Sequence, residues 1–79
     1  MIELNPVDSS QIKAIGHDPN TNTLAVQFHS GQTYHYDNVD AVKFQALRDA
    51  PSVGKHLHQH IRSNPDKHPF EKIEVDDEG

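Results

Sequence analysis

The chain contains no cysteine. Disulfides, thiolate metal sites and a cysteine nucleophile are therefore excluded, and a reducing, cytoplasmic setting is the expectation. No apolar stretch approaches the ~20 residues that cross a bilayer. The opening MIELNPVDSS has no basic region followed by an apolar run, so no secretory leader is read there. Bulk is missing too. At 79 residues the chain makes one small domain with little core to bury and a thin stability margin. No internal repeat or low-complexity segment is present.

What is plentiful is histidine. Seven of the 79 residues are histidine, and three of them alternate in GKHLHQHIR, residues 54–62. The formal charge of −5 is unevenly placed. Residues 71–79 hold Glu71, Glu74, Asp76, Asp77 and Glu78 against Lys72 alone, whereas residues 1–70 carry seven acids and six bases. The body is thus near neutral and the tail strongly acidic. Histidines that protonate near the ordinary value of ~6.5 turn the body positive below that pH, so the acidic balance is only a weak argument against an anionic partner.

Residues 1–8 read as an irregular lead-in. In SSQIKAIGHD, Ile12 and Ala14 share one face of a strand, with Gln11 and Lys13 opposite. DPNTN, residues 18–22, is dense in turn formers. TLAVQF alternates, with Leu24, Val26 and Phe28 inward and Ala25 and Gln27 outward. HSGQ is a hairpin turn in which Gly31 supplies positive φ, and TYHY resumes the strand. These three strands form an antiparallel meander with one buried face. AVKFQALRDA is helical, capped by Asp40, with Phe44 and Leu47 inward, and Pro51 stops it. Ser52 caps a second helix, VGKHLHQHIRS, whose stripe is Val53, Leu57, His60 and Ile61. The Asn64–Pro65 step ends that helix. PFEKIEV reads as a short extra strand, or as a strap packing Phe70 and Ile73, and DDEG reads as frayed. The fold class is α+β, with one domain over residues 9–73 and a disordered acidic tail at 74–79.

Taken in order, SSQIKAIGHDPNTNTLAVQF, SGQTYHYDNV and FQALRDAPSVGKHLHQHIR resemble the KTSC domain, a small family named after a C-terminal extension of some lysyl-tRNA synthetases. The resemblance runs from about Ser9 to Arg62. It implies a sheet-plus-helices fold, found alone in bacteria and phages or appended to larger proteins, and it brings no catalytic motif. The chain departs from the family's tendencies at His17 (usually an aromatic), at Asp40 (usually proline) and at HLH, residues 56–58 (usually an aromatic pair and asparagine).

The histidines do not make a metal site on paper. On a regular helix His56 and His60 share a face, while His58 points about 160° away from His60, so the three cannot close on one ion. A zinc ion held by His56 and His60 needs another ligand, such as His17, His35 or a carboxylate. The plainer reading makes His60 a hydrogen-bonded residue at the core edge, His56 a neighbour of the apolar stripe, and His58 a residue facing water. Serines at 9, 10, 30, 52 and 63 pair with histidine and aspartate on paper, but among seven histidines such pairings carry almost no information. Neither an enzyme nor a cofactor is expected.

Anion binding is the sharper idea. PSVGK sets Ser52 at a helix start, with the amides of Val53 and Gly54 and the ammonium of Lys55 beside it. His58, Arg62, Lys67 and His68 follow along the same segment. The plainer reading is a capped helix with a solvated face, in which Gly54 merely allows close packing. Tyr34 and Tyr36 read as core, the alternative being exposed aromatics that stack bases. The expectation is a non-catalytic binding module that takes RNA or DNA through phosphate contacts from Ser52, Gly54, Lys55, His58, Arg62 and Lys67. The alternative is a protein-interaction module, or phage-type accessory factor, with no nucleic-acid binding.

Overall fold

The structure, a computed structural model, describes residues 2–73, so the acidic tail at 74–79 lies outside the described residues. Its elements in chain order are β1 (Asn5–Pro6), β2 (Ile12–Asp18), β3 (Thr23–Phe28), β4 (Thr33–Tyr36), α1 (Ala41–Arg48), α2 (Val53–Leu57), a π-helical turn (His58–Arg62) and β5 (Phe70–Ile73). The class is α+β, as the alternation and the caps imply. The sheet, however, has five strands in the order β1-β2-β3-β4-β5, every neighbour antiparallel. The three-stranded meander is its centre. The lead-in supplies one edge, and the C-terminal segment pairs with β4 as a true strand.

Local chemistry sets the corners. Asp18 Oδ1 accepts the Asn20 N–H at 3.0 Å, and Asn22 takes φ +55° to close the β2–β3 turn. Gly31, at φ +98°, closes the β3–β4 turn in the left-handed region where a side chain is strained. Asp40 caps α1 by accepting the Lys43 N–H at 2.9 Å, and Ser52 caps α2 by accepting the Lys55 N–H at 3.4 Å.

One face of the sheet meets the helices. Ile12, Ile15, Leu24, Val26 and Tyr36 from the strands close on Val39, Leu47, Val53, Leu57 and Ile61. Fully burying an aliphatic of this size gains roughly 1.5–3 kcal/mol, and this cluster is the main support of the fold.

Four details differ from the sequence reading. Ile12 and Ala14 do not share a face. A bulge between them sets Ile12 opposite Phe28 but Ala14 opposite Gln27, so two residues of β2 span one step of β3. Ile12 therefore joins Ile15 in the core, and Ala14 turns to the other face. Ala25 is on that other face as expected, yet it is buried. Its partner Gly16 lies under the chain at Ile2 and Glu3, so this face is partly covered. The second helix is not uniform: from His58 it widens into i→i+5 bonding, the Ser63 N–H reaching His58 O at 3.1 Å. Ile61 stays buried with Leu57, whereas His60 is exposed rather than part of the apolar stripe. Lastly, Phe70 is not tucked under a strap; it is 59% exposed.

Candidate functional site

Two clefts open on the helix side of the sheet, and Arg62 lines both. The first is polar, about 560 Å³, between the loop before β2 and the start of α2. Five of the six residues singled out in the sequence line it: Ser52, Gly54, Lys55, His58 and Arg62. The sixth, Lys67, does not; its carbonyl accepts the Asn38 side-chain amide at 2.9 Å in the turn that leads back to β5. Asp8, which the sequence reading did not single out, lines the same cleft and adds an acid to its lining.

The helix start is narrower than PSVGK suggests. A Cβ on Gly54 would lie 3.3 Å from Gln11 Oε1 and 3.4 Å from Ser9 Oγ, so the glycine lets the 9–11 loop approach α2 closely. Ser9 Oγ is already an acceptor for the Gln11 and Ile12 N–H groups, both at 3.3 Å. Lys55, His58 and Arg62 are exposed, and no carboxylate among the described residues forms an ion pair with Lys55 or Arg62.

The second cleft is larger, about 650 Å³, and aromatic. Tyr34 lies edge-on to Phe28 at 5.6 Å and is 6.4 Å from Tyr36, and Phe70 approaches Tyr34 and Tyr36 at 5.8 and 6.0 Å. Register explains the cluster, because Tyr36 sits opposite Phe70 and Val26 opposite Tyr34, all on the helix-facing side. The Arg62 guanidinium stands 5.8 Å from the centre of the Phe28 ring. Burial pushes the Tyr36 hydroxyl above its ordinary value; the Arg62 charge opposes this and Tyr34 adds to it. Tyr36 is core as expected, whereas Tyr34 is only half-buried and forms a wall. His68, buried, completes the lining.

No group of three or more His, Asp or Glu side chains able to hold a metal ion occurs among the described residues. His56 and His60 do meet, their ring centres 4.3 Å apart. Partial burial, then the neighbouring His60, lower the His56 pKa from its ordinary value.

Comparison with known proteins then decides the family. The model of the KTSC domain matches residues 8–64. The chain belongs to the KTSC domain family. An uncharacterised protein of Stutzerimonas stutzeri is 40% identical over 53 residues, which are 67% of this chain and 75% of that one. A lysine–tRNA ligase from a Nostoc species is 38% identical over 55 residues, 70% of this chain but 10% of the ligase. The crystal structure of a KTSC domain protein from Yersinia pestis superposes with a TM-score of 0.82 at 33% identity, covering 94% of this chain and 100% of that one. Both edge strands of this KTSC domain, β1 and β5, fall outside the residues that the family model matches. One of them carries Phe70, a wall of the aromatic cleft. No helix of the described residues is long and apolar enough to cross a membrane.

Proposed function

We propose that this KTSC domain is a non-catalytic binding module for nucleic acid that grips phosphate at the start of α2. The observation that supports this best is the convergence of Ser52, Gly54, Lys55, His58 and Arg62 on one open polar cleft. Two exposed cations, an exposed imidazole and the first amides of a helical segment suit a phosphate oxygen. The likeness to a small part of a lysine–tRNA ligase, whose name ties that enzyme to tRNA, points the same way.

The test is an amide NMR titration at low salt with a short single-stranded RNA and a duplex DNA. Saturable shifts on residues 52–62 that fade as salt rises are the expected result. Lys55→Ala and Arg62→Ala should each weaken binding and lower the salt slope by about 0.7, one phosphate contact of a single strand. Absence of saturable shifts ends the proposal. It would favour the second reading, a protein partner, which Val42 supports: it is 76% exposed on α1 and lines neither cleft.

A further inference from the structure

We infer that the aromatic cleft beside Arg62 seats an unpaired nucleobase, which makes the preferred ligand a single strand; this rests on the phosphate reading of the adjoining polar cleft. Phe70 is the first observation. It is 59% exposed, yet its side chain is on the helix-facing side of the sheet, against Tyr34 and Tyr36. Phe28, Tyr34 and Phe70 offer ring surface, and the Arg62 guanidinium over Phe28 offers a cationic plane. Bases stack on both kinds of surface. The volume of about 650 Å³ lies within the roughly 300–1,000 Å³ usual for small-ligand sites.

His68 is the second, independent observation. The residue is 3% exposed, and its Nδ1 lies 3.0 Å from the Asp37 carbonyl oxygen. A carbonyl only accepts, so Nδ1 carries a proton, and whenever the ring holds a single proton Nε2 is an acceptor. Among the described residues no protein donor bonds Nε2. His68 is one of the residues that line the aromatic cleft, and Nε2 is the ring nitrogen left to meet a base there. An acceptor within aromatic walls suits the N–H groups on the pairing edge of a base. In a duplex that edge is already paired and both base faces are stacked, so the cleft discriminates against duplex. Arg62 joins the two clefts, which places the seat of a base next to the seat of a phosphate.

The test compares hexauridylate with an abasic hexamer carrying the same number of phosphates, by fluorescence anisotropy at one salt concentration. The strand with bases should bind at least about fivefold more tightly. Phe70→Ala, at an exposed position, should remove that advantage and leave the affinity for the abasic strand unchanged. His68→Asn keeps an amide N–H for the Asp37 carbonyl but lacks Nε2, and should weaken only the strand with bases. If that variant does not fold, Phe70→Ala decides alone. Equal binding of the two strands, or an advantage that survives Phe70→Ala, overturns the base seat while the phosphate reading stands. If neither strand binds, both fall and the cleft is left to a protein chain.

Discussion

His17, His29 and His68 each give a ring N–H to the backbone carbonyl of a distant segment: Val39 at 2.6 Å, Ser9 at 2.9 Å and Asp37 at 3.0 Å. These rings tie together segments far apart in sequence, which is work the chain has no disulfide to do. His17 also stacks on Phe44, with centroids 5.0 Å apart and planes 14° off parallel. It thereby joins an aromatic stack to a hydrogen bond in one side chain. His17→Ala should cost about 1–3 kcal/mol, combining stack and bond, and His17→Phe about half as much, as read by urea denaturation. His56 behaves differently. Its pKa is lower in the folded chain, so the unfolded chain binds the extra proton as pH falls below the ordinary histidine value of 6.5. The stability that His56 contributes is present above that value and is lost on acidification. His56→Gln should therefore lose less of its urea midpoint than the parent chain between about pH 7.5 and about pH 5.5. In the polar cleft Asp8 opposes any anion, so Asp8→Asn should tighten RNA binding by roughly two- to fivefold at low salt, checked by anisotropy.

At the scale of elements, a bulge and a wide turn decide the register. The bulge in β2 reverses the phase of every residue after Ile12, which is why alternation read from Ile12 and Ala14 failed. A bulge inserts one residue without changing composition, so nothing in IKAIGHD announces it. The steps of four from Val53 to Leu57 to Ile61 fit both an α-helix and a widened one, so the π-turn was not legible either. Capping was legible, because Asp40 and Ser52 carry the one side-chain chemistry that closes a helix start. The polar cleft followed from it, since its residues are neighbours in sequence. The aromatic cleft did not. Its members come from the loop before β2, from β3, the turn after it, β4, the π-turn, the loop after that and β5, and only the tertiary fold brings them together. Close approach leaves its own mark at Gly16, where a Cβ would run into the Glu3 carbonyl oxygen and meet Ile2 Cγ2 at 2.9 Å. Gly16→Ala should push residues 2–4 off the sheet at a cost of about 1–3 kcal/mol. The Val7 amide, which bonds Lys13 O at 3.1 Å, should then exchange faster by NMR.

For the molecule as a whole, the return of the chain from the helices to the sheet is the critical closure. The Asp37 N–H reaches Pro69 O at 2.9 Å, Asn38 Nδ2 reaches Lys67 O at 2.9 Å, and His68 Nδ1 reaches Asp37 O at 3.0 Å. These bonds clamp the end of β4 to the segment that launches β5. A chain ending at Asp66 loses all of them together with a strand, and its melting temperature should fall by about 10 °C or more, as read by circular dichroism. The α+β class was readable because caps and alternation are local, whereas the strand count required knowing which ends of the chain come to lie beside the meander.

The two outermost strands also govern how copies of the protein behave when crowded together. An open sheet invites further strands to add at its rims and grow into ribbons. Here one rim is only the two residues Asn5–Pro6, and the proline has no N–H to offer a newcomer. The opposite rim is four residues long, follows Pro69 and presents Glu71 and Lys72. Short, charged and proline-marked rims blunt such growth, so concentrated solutions of this chain are expected to remain free of fibrillar species.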